Sequence, residues 1–294
     1  MSETEKNRVE GGTLYLVATP IGNLADMTER GVKVLTECDF IAAEDTRNTA
    51  GLLAYFDIRK ELVSYHEHNK KSRGEEIAVR LRSGESCALV TDAGMPAISD
   101  PGEDLVRLCG ERGIPVRIVP GACAAVSALA LSGLATGRFA FEGFLSANRG
   151  DRKKRLEEIR AERRTLIFYE APHKLKATLA DLLATFGDRK LSLCRELTKR
   201  NEETMRTTTA EAVAYYETHE PRGEYVLVLA GAEETTGEAY RPPVDDDLLS
   251  LSPADHVAHY EAAGLARMDA IKAAARDRGM TKSELYRILT ADKA

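Results

Sequence analysis

Over the first 135 residues, the apolar positions gather into short unbroken runs. Thr13-Leu14-Tyr15-Leu16-Val17-Ala18, Phe40-Ile41-Ala42-Ala43, Leu62-Val63-Ser64, Cys87-Ala88-Leu89-Val90 and Val116-Arg117-Ile118-Val119 are the five clearest. Runs this short, bounded by turn residues, predict strands buried on both faces. Between them, residues 28–37, 48–55, 75–81, 105–111 and 122–131 carry apolar side chains at helical spacing. Strands alternating with helices predict an α/β unit with a parallel sheet covered by helices on both faces. The pattern changes near Thr136. Residues 139–144, 165–169, 191–195, 204–209 and 224–230 predict strands, with helices over 152–162, 174–186 and 211–217. Adjacent strands with fewer helices predict a mixed sheet.

Residues 233–252 are acidic and contain Pro and Gly, as a linker does. Beyond them, residues 254–263, 268–276 and 281–289 predict helices, with Gly279 in a turn and Thr281/Glu284 as a capping-box pair. Two forms fit the last two helices: a helix-turn-helix nucleic-acid module, or a helical hairpin packed on the body. The expected organisation is a first α/β domain over 1–134, a second over 135–232, a linker over 233–252 and a small helical module over 253–294.

Composition adds constraints. The chain has 294 residues, 43% hydrophobic and 30% charged, enough for a sizeable core. No run of about eighteen apolar residues predicts a membrane span. The opening MSETEKNRVEGG is polar and does not resemble a signal peptide. Cys38, Cys87, Cys109, Cys123 and Cys194 are scattered, with no CxxC pair, which predicts reduced thiols and a cytoplasmic protein. A net charge of -6 argues against a nucleic-acid-coating protein. The distribution qualifies this. Residues 149–164 hold eight basic and four acidic side chains, and residues 264–294 hold seven and four. Two basic segments on an acidic body suit a directed polyanion contact or two solvated helix faces.

Several chemistries lose their usual warrant. No GxGxxG follows the first strand, and there is no Walker loop, HExxH or GxSxG. His66 and His68 alternate without a third ligand nearby, so a polar loop is expected there and no metal. What remains is a set of loops at strand ends: 19–23, 44–47, 92–102 and 120–122. Open α/β sheets bind ligands at the carboxyl ends of their strands. The stretch from Asp92 to Gly102 is the richest. Glycine permits close approach, proline stiffens the loop, and Asp92 and Asp100 offer acceptors. A tight strand-to-helix turn with Asp100 as N-cap is the other reading.

These loops also carry a resemblance. LVATPIGNLADMTERGVKVL, FIAAEDTRNT, LVTDAGMPAISDPG, VPGACAAVSAL, FEGFL, LIFYEAPHKL and CRELTK occur in this order. Together they resemble the ribosomal RNA small subunit methyltransferase I family, of the tetrapyrrole-methylase fold class. The likeness covers about residues 12–231 and includes a helical tail. It implies 2'-O-methylation of a cytidine ribose in the decoding centre of 16S rRNA within the small ribosomal subunit. It implies S-adenosylmethionine as cofactor, folded between two α/β domains, and a homodimer. By motif, cofactor contacts fall to Pro20, Asp92, Gly94, Ile98, Ser99, Pro120, Gly121, Ala122, Tyr169 and Leu197. The chain departs from the family's common pattern at Met95 (often Thr), Ala122 (Pro), Lys174 (Arg) and Ala230 (Glu). Met95 and Ala122 fall in the expected cofactor region, and neither of these two removes a charged catalytic group.

Methylating a hydroxyl requires an aligned oxygen and an acceptor for its proton. The expected catalytic residues are Lys199, Glu170 and Asp45. Glu44, Arg47 and Arg195 are expected to position RNA, and Arg152, Lys153, Lys154 and the C-terminal hairpin to face it. Each has a plainer role available. Glu44–Arg47 suit a helix N-terminus, Arg195-Glu196 a structural ion pair, and His173 a hydrogen bond at a helix start. Two rival functions stay open. A tetrapyrrole C-methyltransferase would need neither the basic segments nor the hairpin, and a catalytically silent RNA-binding protein would not bind the cofactor.

Overall fold

The computed structural model describes residues 7–232, 246–262 and 264–291. The first sheet contains β1 (Leu14–Val17), β2 (Phe40–Ala43), β3 (Glu61–Ser64), β4 (Cys87–Val90) and β5 (Val116–Val119). All are parallel, in the order β3-β2-β4-β1-β5. Each apolar run thus became a strand; helices cover both faces of the inner strands β1, β2 and β4, while the edge strands β3 and β5 keep exposed positions. The helices are α1 (Glu29–Glu37), α2 (Thr46–Tyr55), α3 (Lys70–Arg82), α4 (Gly102–Glu111) and α5 (Ala124–Ser132). Side chains alternate across the sheet. Leu14, Leu16, Phe40, Ala42 and Leu89 pack against α3 and α4, while Tyr15, Val17, Ile41, Ala43 and Val90 pack against α1 and α2. Helix α3 begins five residues before its apolar pattern, because its first turn, Lys70 to Arg73, faces solvent. Asn69 fixes the entry: its Oδ1 accepts from His66 N at 2.8 Å and its Nδ2 donates to Ser64 O at 3.1 Å. His66 and His68 therefore lie in a loop and not on a strand.

The second sheet is mixed, as expected. It contains β6 (Phe139–Phe144), β7 (Thr165–Glu170), β8 (Lys190–Arg195), β9 (Glu203–Thr208) and β10 (Tyr225–Leu229), in the order β6-β7-β10-β8-β9. Only β6 and β7 pair in parallel. One face packs against α6 (Arg149–Glu158), α7 (Pro172–Phe186) and α8 (Thr209–Thr218). Helix α6 stops at Glu158 and not at 162, since the amides of Arg160 and Glu162 close three-residue turns to Glu157 and Ile159. The other face packs against α5: Ala125, Ala128 and Leu129 meet Ile167, Cys194, Val226 and Val228. A chain division at 134 therefore separates α5 from the sheet that it covers. Residues 1–232 form one compact unit.

A second unit spans 233–294. Most of the expected linker, 233–245, lies outside the described residues, and α9 (Asp246–Ser250) occupies much of the rest. Helices α10 (Pro253–Ala262), α11 (Arg267–Asp277) and α12 (Lys282–Ala291) follow. They share a core of Val257, Ala270, Ile271, Ala274, Ala275 and Leu285. The capping box forms: Glu284 N donates to Thr281 Oγ1 at 3.2 Å, and Thr281 N to Glu284 Oε2 at 2.6 Å. Among the described residues no helix is long and apolar enough to cross a membrane.

Candidate active site

A cavity of about 490 Å³ opens at the carboxyl ends of the first sheet. Ile21 follows β1, Glu44 follows β2, and Thr91 to Met95 with Ile98 to Asp100 follow β4. Cys123 and Ala124 open α5. The facing wall comes from the second sheet: Phe144, Tyr169, Glu170, Cys194, Glu196, Leu197, Lys199, Glu224 and Val226 are among its residues. The size suits a small-molecule site, and strand ends are where α/β sheets place one.

The backbone here is strained and fixed. Gly94 (φ 84°) exchanges two hydrogen bonds with Thr19, at 2.9 and 3.0 Å, tying the β4 loop to the β1 loop. Five non-glycine residues have positive φ among the described ones, and four of them, Ala97, Ser99, Glu196 and Thr198, belong to the two loops that wall the cavity. Strain of this kind persists only where surrounding structure over-determines it, and it gathers at functional sites. Asp100 holds the first loop: its Oδ1 accepts from Ala97 N at 3.0 Å and Gly102 N at 2.7 Å. Asp100 is not the N-cap of α4, which is Pro101; it braces the turn from one residue earlier, and that turn forms a wall of the cavity.

Of the residues expected at a cofactor, Asp92, Gly94, Ile98, Ser99, Tyr169 and Leu197 line the cavity. Pro20, Pro120, Gly121 and Ala122 do not. A Cβ on Gly121 would meet Ala18 Cβ at 2.9 Å, and the Ala122 carbonyl backs Gly94. The lining residues in that segment are the next two, Cys123 and Ala124. Phe144 and Val226 are also lining residues that sequence reasoning passed over; Phe144, exposed at a strand end, was the one with a signal. Met95 lines the cavity while packing on the first core. Lys174 pairs with Glu170 at 3.1 Å and stands 5.6 Å above the Phe144 ring, so a lysine serves where arginine is common. Burial pushes the Tyr169 phenol up to about 12, and its oxygen accepts from Ala125 N at 3.1 Å.

The expected proton acceptors are all engaged. Asp45 does not line the cavity. It caps α2, accepting from Arg47 N at 2.8 Å and the Arg47 guanidinium at 2.9 Å, which holds its carboxyl at about 2. Glu170 is 2% exposed; its carboxylate takes the Ala171 amide, the Thr178 hydroxyl and the Lys174 ammonium. Lys199 bonds Glu196 at 2.9 Å and Glu224 at 2.8 Å. Burial alone would lower its pKa, but the two carboxylates reverse this and the net shift is upward. Lys199 is therefore an ammonium, a charge donor rather than a base.

The expected RNA contacts divide. Arg152 is buried against Asp181 and does not face outward. It ties α6 to α7. Lys153 and Lys154 are exposed, Arg47 is 89% exposed, and Arg195 pairs with Glu203 at 2.9 Å. Glu44 faces the cavity, unlike Asp45 beside it.

A family model described as tetrapyrrole (corrin/porphyrin) methylases matches residues 13–213. A curated relative from Halalkalibacterium halodurans, named ribosomal RNA small subunit methyltransferase I, is 50% identical over 97% of each chain. Proteins of the same name from Synechocystis sp. and Bacillus subtilis are 46% and 45% identical over 94% of this chain and 97% and 93% of their own. The chain belongs to the ribosomal RNA small subunit methyltransferase I family. The fold of this family member extends to more distant structures. Diphthine synthase matches with a TM-score of 0.57 at 15% identity, over 74% of this chain and 90% of that one. Uroporphyrin-III C-methyltransferase from Thermus thermophilus, complexed with S-adenosyl homocysteine, matches with 0.53 at 20%, over 74% and 97%.

Proposed function

We propose that this chain transfers a methyl group from S-adenosylmethionine to the ribose 2'-hydroxyl of a cytidine in the decoding centre of 16S rRNA. The observation that carries the reading is the cavity itself, walled on one side by strained strand-end loops and on the other by the second sheet. The residues present suit this cofactor. Asp92 offers a carboxylate to hydroxyl donors, Gly94 presents bare backbone, and Phe144, Tyr169, Leu197 and Val226 give an apolar wall for a flat ring. When bound, the cofactor supplies an already activated methyl group. The protein's part is to hold it dry, align the acceptor oxygen and take up a proton. Arg47, Lys153 and Lys154 supply exposed positive charge for the phosphate backbone.

The proposal includes a homodimer acting in the cytoplasm. Ile118, Val126 and Leu131 are exposed apolar side chains on β5 and α5 that a second copy would cover. The test is methylation of assembled small subunits and of naked 16S rRNA, with the product mapped by mass spectrometry. A single 2'-O-methylcytidine in the decoding centre is the expected product. A methylated base, a different nucleotide, or transfer only to a tetrapyrrole carbon would sink the reading. Calorimetry should show that wild type binds S-adenosylmethionine and that Asp92→Ala weakens it by about tenfold, the worth of one good polar contact.

A further inference from the structure

Six carboxylates border the cavity: Glu44, Asp92, Asp100, Glu170, Glu196 and Glu224. A group that takes a proton from a hydroxyl must face the cavity and keep a lone pair that no cation uses. Glu196 and Glu224 share the Lys199 ammonium. Glu170 is sealed under Lys174 and Thr178. Asp100 spends Oδ1 on two amides, and its Oδ2 is buried from solvent. Asp92 is held by the Asn48 amide at 3.1 Å and stands at the head of the Gly94 loop.

Asp92 also keeps a lone pair free of any cation, but the function proposed above gives it to the cofactor's hydroxyls, which leaves Glu44 for the acceptor hydroxyl. Among the described residues the Glu44 carboxylate has one partner, the neutral Thr91 hydroxyl, 2.9 Å from Oε2. Thr91 is itself fixed, its carbonyl accepting from Thr19 Oγ1 at 3.0 Å. The carboxylate is thus aimed from two strand ends while Oε1 stays uncommitted. We propose that Glu44 is the catalytic base for methyl transfer, with Thr91 as the positioning residue that orients it. This rests on the function proposed above. The ribose oxygen bonds the methyl carbon as the carbon–sulfur bond breaks, its electron pair staying on sulfur. The hydroxyl proton passes to Glu44, which returns it to water.

The experiment compares wild type with Glu44→Gln, Glu44→Ala and Thr91→Val. It measures single-turnover methylation of small subunits across pH and calorimetric affinity for S-adenosylhomocysteine. Glu44→Gln should slow transfer by about 10²–10⁴-fold, as loss of a general base does, and erase the acid limb of the pH–rate profile. Its affinity for S-adenosylhomocysteine should stay within about twofold, since only the transition state loses an interaction. Formate should restore part of the Glu44→Ala rate. Thr91→Val should slow transfer with cofactor affinity unchanged, which keeps the idea testable if the Glu44 variants fail to fold. Glu44→Gln turning over at wild-type rate, or losing rate and cofactor affinity in parallel, overturns the assignment. A wild type that methylates no RNA overturns instead the function on which it rests.

Discussion

Arg152→Ala should damage the fold and not the RNA contact. The Arg152 and Asp181 side chains are each 7% exposed. Nε and Nη2 of the arginine both reach Asp181 Oδ2 at 2.8 Å, and Nη1 donates to Ser146 O at 3.1 Å. Alanine leaves a buried carboxylate without its cation. Removing one partner of a buried pair costs about 3–5 kcal/mol, and a stranded carbonyl adds about 1 kcal/mol. With a urea slope of about 3 kcal/mol/M, the midpoint of the sheet unit should fall by more than about 1 M. Urea titration followed by circular dichroism measures it. The paired variant Arg152→Met/Asp181→Leu should recover most of the loss, because replacing both charges by packed apolar groups is often near neutral. That variant should bind RNA as wild type does. A loss below about 1 kcal/mol, together with weakened RNA binding, would refute the burial argument and return Arg152 to the surface role.

Three further outcomes are expected. Gly22→Ala places a methyl 2.3 Å from Lys199 Cγ. Lys199 must then leave Glu196 and Glu224, so affinity for S-adenosylhomocysteine should drop in calorimetry; unchanged affinity would show that the Lys199 network does not shape the cavity. Lys153→Glu/Lys154→Glu should reduce the salt slope of RNA binding by at least about 1.4 to 1.8, at 0.7–0.9 per phosphate contact. An unchanged slope would remove α6 from the RNA face. Glu196 lies below the usual carboxylate range because the Glu224 amide and then Lys199 favour its charge. Such a group contributes stability fully above its unfolded value of about 4.5 and loses it as pH falls through the lower folded value. Thermal melts below pH 4.5 should therefore decline less steeply for Glu196→Gln than for wild type, and identical slopes would contradict this.

The inner strands were legible because burial on both faces writes them as continuous apolar runs; β2 and β4 begin and end where the runs do, and so does the part-exposed edge strand β5. The helix starts were less legible, since the first turn of α3 is largely solvent-facing and α7 opens on Pro172 and His173, ahead of its first buried apolar residue, Leu175. At the site, glycine and proline marked the β4 loop well. The strained positions Ala97, Ser99, Glu196 and Thr198 carry no such mark, being residues that adopt positive φ only under tertiary constraint. Glu44 and Asp45 looked like one cluster. Leaving a strand, neighbours point to opposite sides, so one reaches the cavity and the other caps a helix. Arg152 looked like surface charge because its partner, Asp181, is distant in the chain and only the packing of α6 on α7 joins them.

The position of α5 has a consequence for synthesis. The first sheet has all its strands once Val119 has left the ribosome. The apolar face of α5 then has nothing to cover, because Val226 and Val228 have yet to be made. At about 5–20 residues per second, that face waits roughly 5–20 s. For that interval the nascent chain leaves Ala125, Ala128 and Leu129 without the sheet they cover in the finished protein.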